Sequence, residues 1–291
     1  MIELIKLGNR TYYLKNPVNI GIYMLDEKNV CVIDTGNSQD FGKMIDKVLQ
    51  DNNWNLKYII NTHSHADHIG GNKYLQTKYN CRIFSNKIES YFINNPLLES
   101  AMLYSANPPK EMLTHFLKAD ESKCEDINNI SINGIKTINL EGHSVGQIGI
   151  ITSDNVCFCG DAYVSSAILN KYAIQYVYDI EKYLDTLDLI KNTKYKYYVP
   201  AHGEVEEKPI DTIKANINNI IEVENNILKI INNEISYTNF LKEIFNKYHI
   251  RMNTIQYHLI SATIKSFLTK LEKEEKIIFE YNQNEMIIKI I

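Results

Sequence analysis

The stretch able to do chemistry is Asn61-Thr62-His63-Ser64-His65-Ala66-Asp67-His68-Ile69-Gly70-Gly71. Four potential metal ligands, His63, His65, Asp67 and His68, fall within six residues of one another. The segment follows Lys57–Ile60, a short β-branched run that reads as a strand. An extended H-x-H leaving a strand points two imidazoles the same way, so His63 and His65 can share one ion. As the chain turns into a helix, Asp67 and His68 project elsewhere and can serve a second. Gly70 and Gly71 let the backbone turn tightly and pack near the site. Imidazole and carboxylate donors suit borderline divalent metals, chiefly Zn²⁺, with Fe or Mn as alternatives. Two such ions about 3.5–4 Å apart can hold a bridging hydroxide and polarise a substrate oxygen together, so hydrolysis needs no Ser or Cys nucleophile.

This segment resembles the H-x-H-x-D-H signature of the metallo-β-lactamase superfamily, and further segments follow in that family's order. Glu141-Gly142-His143-Ser144 is similar to its next ligand loop. Cys159-Gly160-Asp161 resembles the strand end whose Asp bridges both metals, and Pro200-Ala201-His202-Gly203 resembles the last ligand loop. Val32-Ile33-Asp34-Thr35-Gly36 is similar to an upstream motif. The resemblance runs from about residue 18 to residue 204. It implies that His143 joins His63 and His65 on one metal, and that His202 joins Asp67 and His68 on the other. Asp161 then bridges the pair, with Asp67 and Asp161 as the catalytic carboxylates and Asp34 orienting the site from behind. The implied cofactors are two divalent ions, Zn²⁺ foremost. The implied fold is α/β, a four-layer αββα sandwich of two mixed sheets with helices outside.

The elements that must position these residues are visible as alternating apolar runs and helical patterns. Strands are predicted at Ile2–Leu7, Val18–Leu25, Val30–Ile33, Cys81–Phe84, Ile135–Leu140, Gln147–Thr152, Val156–Cys159 and Tyr195–Val199. Helices fit Phe41–Gln50, Gly70–Lys78, Ile180–Lys191 and Asp211–Ile231. Residues 86–128, broken at Pro96 and Pro108-Pro109, read as a helical insertion or lid. The expected organisation is a catalytic domain over 1–208, a connecting helix over 209–232, and a winged-helix-like unit over 233–291. That last unit is predicted as helices Tyr237–Tyr248, Asn253–Leu259 and Ile260–Leu271, followed by strands Ile277–Tyr281 and Met286–Ile290.

Other candidates carry weaker signals. Tyr163, two residues after Asp161, is a candidate substrate contact through its hydroxyl, set against 20 tyrosines in the chain. Ser144 and Gln147 read equally as supports behind the ligands or as loop polar groups. Cys157 and Cys159 share one strand face and read as buried thiols. His115, His249 and His258 stand outside the motifs and read as surface or packing residues.

The chain has 291 residues, of which 31 are Lys or Arg and 35 Asp or Glu, for a net charge of −4. That balance excludes a polycation, so any nucleic-acid role needs a local patch. The tail from Pro209 carries ten basic and ten acidic side chains, which favours a packing role for it over phosphate contacts. No apolar run approaches the length of a bilayer span. Met1–Lys6 lacks a secretory pattern, and five scattered cysteines make no disulfide framework, so the expected setting is the cytoplasm. The leading expectation is hydrolysis of a small ester, thioester or lactone. Glyoxalase II relatives share the first motif and a loop like Gly142-His143-Ser144-Val145-Gly146, although no basic glutathione cluster is found here. The resemblance allows two alternatives, an endoribonuclease of the β-lactamase-like group and an iron-dependent persulfide dioxygenase. The partner expected is a small molecule; nucleic acid is disfavoured, no membrane contact is expected, and a homodimer through lid or tail is compatible.

Overall fold

The computed structural model describes residues 3–291, so Met1 and Ile2, the first residue of the first expected strand, lie outside the described residues. Strict side-chain alternation organises the core. In β4 (Asn29–Ile33) Val30 and Val32 face one apolar cluster, while Cys31 and Ile33 face another. A strand apolar on both faces must be covered on both. It belongs to a seven-stranded sheet with β1 (Glu3–Lys6), β2 (Thr11–Lys15), β3 (Ile20–Met24), β5 (Asn55–Ile60), β6 (Arg82–Ser85) and β7 (Cys124–Asp126). These pair in sequence order, antiparallel from β1 to β4 and parallel from β4 to β7. The outer face of this sheet is covered by α1 (Gln39–Asp51) and α3 (Asn72–Tyr79), whose Ile45, Leu49 and Leu75 pack onto Val30, Val32 and Ile59.

The second sheet has the order β11-β10-β9-β8, from β8 (Ile135–Asn139), β9 (Ile148–Thr152), β10 (Val156–Gly160) and β11 (Tyr197–Pro200). Its Ile148, Ile150, Val156 and Phe158 meet Tyr23, Ile33, Ile60 and Phe84 of the first sheet, forming the layer between the sheets. The opposite face, through Cys157, Cys159 and Tyr198, is covered by α7 (Ile180–Asn192) and α8 (Ile210–Ile231). The layers are therefore helix, sheet, sheet, helix, as the resemblance implied. All five cysteines are buried and free. No described helix is long and apolar enough to cross a membrane.

The segment 86–128 contains α4 (Lys87–Asn94) and α5 (Leu97–Tyr104) after the short α2 (Ala66–Ile69) and α3. Its last residues form β7, an edge strand of the main sheet, so the insertion ends earlier than its sequence pattern suggests. After β10 comes a short α6 (Ser166–Lys171). The tail follows α8 with β12 (Glu234–Ser236), α9 (Tyr237–Lys247), α10 (Thr254–Lys273), β13 (Ile277–Asn282) and β14 (Glu285–Ile290), the three strands ordered β12-β14-β13. Here the structure corrects the expected division: Asn253–Leu259 and Ile260–Leu271 are not two helices but one 20-residue helix, α10. Asn253 starts it by accepting from the Gln256 N–H at 2.9 Å, and no breaker interrupts the pattern at residue 259 or 260.

Helices α1 and α3 are fastened by one carboxylate. Asp46, 6% exposed, accepts from Lys78 Nζ at 2.5 Å, Tyr79 Oη at 2.6 Å, Tyr74 Oη at 3.0 Å and Gln50 Nε2 at 3.0 Å. Burial alone would raise its pKa, but the donors from Lys78, Tyr79 and Tyr74 outweigh it and hold the group below the ordinary carboxylate range. A depressed folded-state pKa stabilises above the unfolded value of about 3.9 and ceases to do so as pH falls through the folded value. Asp46→Asn is expected to cost about 2 kcal/mol near neutral pH. In urea titrations at a series of pH values, the gap between wild type and variant should narrow as the acid limb is reached.

Candidate metal centre

The candidate ligands stand after the carboxyl ends of β5, β10 and β11, Asp67 and His68 in the short α2, and on the loop joining β8 to β9, with Asp34 behind them after β4. This is where an α/β sheet leaves backbone groups free of the ladder and side chains free to converge. Asp34 follows β4 with φ of 59°, a left-handed conformation that a non-glycine residue adopts only when its surroundings fix it. Its carboxylate does so: it accepts from the Thr62 N–H and the Thr62 hydroxyl at 2.8 Å each, and faces His68 Nδ1 at 2.9 Å. The His68 carbonyl in turn accepts from the Thr35 N–H at 2.7 Å. Gly70 has ordinary helical dihedrals. Its role is close approach rather than turning, since a Cβ there would lie 2.2 Å from the Asn37 carbonyl carbon.

The structure brings all seven candidate ligands together. His63 Nε2 and His143 Nε2 lie 3.0 and 2.9 Å from His65 Nδ1, so the H-x-H pair converges through different ring nitrogens. Asp67, His68 and His202 form a second cluster, with His202 Nε2 3.2 Å from Asp67 Oδ2 and His68 Nε2 3.8 Å from the same atom. Asp161 stands between them: Oδ1 is 3.4 Å from His68 Nε2, while Oδ2 is 3.4 Å from His143 Nε2 and 3.5 Å from His202 Nε2. Two buried atoms at the convergence point, His68 Nε2 and Asp161 Oδ1, have no hydrogen-bond partner. Burying such groups unpaired is costly. Orphaned buried nitrogen and oxygen atoms facing one another among further imidazoles fit a divalent cation.

The ring nitrogens turned away from the centre fit it too. His63 Nδ1 faces Thr62 Oγ1 at 3.1 Å, His68 Nδ1 faces Asp34, His143 Nδ1 faces the Tyr176 carbonyl at 3.1 Å, and His202 Nδ1 faces the Pro17 carbonyl at 3.0 Å. An N–H directed outward leaves the inner nitrogen as a lone-pair donor. Burial lowers His63 well below the usual imidazole range, with His68 and His65 adding to the effect; it takes His65 to about 3, with His143 adding. For His68, burial opposes charge, but Asp67, Asp161 and Asp34 outweigh it and hold the ring well above that range. Burial likewise opposes Asp161 and Asp67. His202, His68 and His143 nevertheless hold Asp161 well below the carboxylate range, and His68 and His202 do the same for Asp67.

The remaining expectations divide. Ser144 donates to Glu89 at 2.8 Å, so it ties a ligand loop to the insertion. Gln147 accepts from the Asp161 N–H at 3.0 Å and donates to the Leu140 carbonyl at 3.0 Å, fixing the Asp161 backbone. Tyr163 is corrected: its ring is fully buried in the cluster with Cys157 and Cys159, and it lines no cavity at the centre. The turn after Gly160, closed by the Ala162 N–H on the Cys159 carbonyl at 3.2 Å, carries it to the helix-covered side of the sheet. His115, His249 and His258 join none of the ligand clusters.

Two residues escaped the sequence reading, and both come from the insertion. Glu89, 1% exposed, accepts from the Ser64 N–H at 2.9 Å, the Ser144 hydroxyl at 2.8 Å and the Gly146 N–H at 2.6 Å. One carboxylate thus holds the loop of His63 and His65 to the loop of His143. Glu99, 6% exposed, has Oε1 3.4 Å from His65 Nε2. Burial raises its pKa to about 8, with Glu89 and Asp67 adding. The available signal was an acidic residue in an otherwise apolar helix, Leu97-Leu98-Glu99-Ser100-Ala101-Met102-Leu103.

Over the centre lies a cavity of about 220 Å³ with His143, Asp161 and His202 on one side. Its walls are Val164, Ile168, Tyr172, Ile174, Gln175 and Tyr176 in and around α6, and Gln256, Leu259 and Ile260 from α10; no Lys or Arg lines it. A larger cavity of about 520 Å³, between α5 and α10, contains none of the seven candidate ligands.

Comparison with known proteins agrees with this geometry. The family model for the metallo-beta-lactamase superfamily matches residues 15–202. A probable metallo-hydrolase of Methanocaldococcus jannaschii is 26% identical over 193 residues, covering 64% of this chain and 88% of that protein. Hydroxyacylglutathione hydrolase GloC of Haemophilus influenzae is 25% identical over 151 residues, covering 52% and 68%. A beta-lactamase domain protein from Burkholderia ambifaria superposes with a TM-score of 0.74 at 14% identity, covering 99% of this chain and 94% of that one, so the likeness of fold includes the tail.

The Glu89 clamp is open to direct test. Glu89→Leu leaves three donors facing a buried apolar side chain and is expected to cost about 3 kcal/mol or more. Glu89→Gln retains part of the acceptor capacity and should cost less. Urea denaturation of the metal-free variants measures both, and equal stability for Glu89→Leu and wild type would contradict the clamp.

Proposed function

Because the chain belongs to the metallo-β-lactamase superfamily, we propose that it is a metal-dependent hydrolase of small esters, thioesters or lactones whose acyl part is apolar. The observation that carries this reading is the cavity over the candidate ligands, where Val164, Ile168, Ile174, Leu259 and Ile260 stand beside Tyr172, Gln175, Tyr176 and Gln256 and no Lys or Arg is present. A glutathione conjugate presents carboxylates and RNA presents phosphates, and both call for Lys or Arg at the contact. To this cavity α10 contributes Gln256, Leu259 and Ile260, while its Lys265 and Lys273 line the neighbouring larger cavity.

His63, His65 and His143 would hold one ion and Asp67, His68 and His202 a second, with Asp161 shared. Zn²⁺ suits these donors best. Divalent ions bound there supply a water of lowered pKa and polarise the substrate carbonyl. The protein's own contribution is to hold and exclude. The apolar walls seat the acyl group and keep bulk water off it, which strengthens every charge interaction inside. Asp67 is the least buried of the ligand carboxylates, with 35% of its side chain exposed. Its carboxylate stays ionised at neutral pH because His68 and His202 offset its burial, so with Oδ2 turned to those rings the other oxygen would be left to accept a proton from water. Asp34, through His68 and Thr62, keeps that cluster in register.

The test is steady-state hydrolysis by metal-loaded protein of a short apolar acyl thioester, an apolar lactone, a glutathione thioester and a labelled single-stranded RNA. The apolar acyl substrates are expected to lead in kcat/KM. Asp67→Ala should reduce their turnover by about 10²–10⁴-fold. RNA cleavage that Asp67→Ala abolishes, with no acyl turnover, would replace this reading by a nuclease. Oxygen uptake with a persulfide by iron-loaded protein would replace it by a dioxygenase.

A further inference from the structure

Five imidazoles converge on the centre, and four are backed from within the catalytic core, by Thr62, Asp34, the Tyr176 carbonyl and the Pro17 carbonyl. The fifth, His65, presents Nδ1 to the centre and Nε2 to Glu99 of α5, at 3.4 Å. We propose that Glu99 is the positioning residue for His65, its carboxyl oxygen receiving the Nε2 proton so that Nδ1 is the nitrogen offered to a metal, and that the insertion exists in part to deliver it.

Three observations support this assignment. Glu99 makes no side-chain hydrogen bond among the described residues and is only 6% exposed; its ion-pair contact is His65 Nε2 at 3.4 Å. An isolated buried carboxyl is costly, and an apolar residue would suit α5 better unless the carboxyl has a specific partner. The imidazole facing it has no other outward partner. Finally, Glu89 of α4 fixes the backbone at Ser64 and at Gly146, so the loop carrying His65 is held against the helix that precedes α5 in the insertion. The role does not depend on the protonation state of Glu99, because the carboxyl and the carboxylate both offer an oxygen lone pair to an N–H.

The inference rests on the metal-centre reading above, and the experiment separates the two. Metal-free wild type, Glu99→Met, Glu99→Gln and the exposed control Glu121→Gln are titrated with Co²⁺ against a competing chelator. Affinity and the visible d–d spectrum are recorded, alongside thermal melts of the metal-free proteins. Glu99→Met is expected to lose affinity at one of two sites by about 10–100-fold with an altered spectrum, while its metal-free melt is unchanged or raised. Glu99→Gln keeps a carbonyl oxygen for the Nε2 proton and should recover most of that loss; Glu121→Gln should match wild type. A Glu99→Met protein equal to wild type in affinity and spectrum overturns the positioning role alone. So does a loss in both Glu99 variants that merely follows a lowered melt. A wild-type protein that takes up no cobalt overturns the metal-centre reading, and the inference with it.

Discussion

Everything in the catalytic unit depends on holding nitrogen and oxygen lone pairs against one another in a buried space. Without a cation, such an arrangement repels itself, and side chains free to turn would turn away. The fold prevents this from outside: four of the five rings are gripped by the far nitrogen, and the Asp34 carboxylate grips two elements at once. Asp34 itself occupies a backbone conformation costing of order 1 kcal/mol or more, which the three groups around its carboxylate offset. The two sheets serve this arrangement by bringing the ends of β4, β5, β10 and β11 to one edge.

Much of the site was legible in the sequence because its ligands sit in short, ordered segments. His63 to His68 form one run, and His143, Asp161 and His202 each follow a recognisable strand or loop. The layered fold was legible through alternation, as in Val30–Ile33, where both faces are apolar. What was not legible depends on contacts distant in sequence. Glu89 and Glu99 read as ordinary helix carboxylates until α4 and α5 are seen against the ligand loops. Tyr163 failed as a substrate contact because a single turn at Gly160 decides which side of the sheet it faces. The inner strand β2 and the edge strand β7, the latter only three residues long, were not among the predicted strands. The unbroken α10 was missed because local apolar spacing was given more weight than the absence of any breaker.

The insertion and the tail are therefore parts of the site rather than appendages. α5 reaches behind His65, and α10 supplies Leu259 and Ile260 to the cavity wall. They also touch each other: the Thr254 hydroxyl at the start of α10 donates to Glu111, and Tyr104 of α5 lies against His258, ring centroids 4.9 Å apart. The loop carrying Tyr176 is fastened from the tail side as well, with the Val177 N–H donating to Thr263 at 3.0 Å.

That arrangement has a temporal consequence during synthesis, which proceeds from the N-terminus. Every candidate ligand precedes residue 203, whereas α10 begins at Thr254. The emerging chain can assemble its imidazoles and carboxylates while the side later closed by Leu259 and Ile260 is still open to solvent. An ion arriving then meets a bare cradle. Once α10 has docked, the side of the cradle facing Leu259 and Ile260 is covered. The last helix is thus the piece of the cavity wall that is made after every candidate ligand.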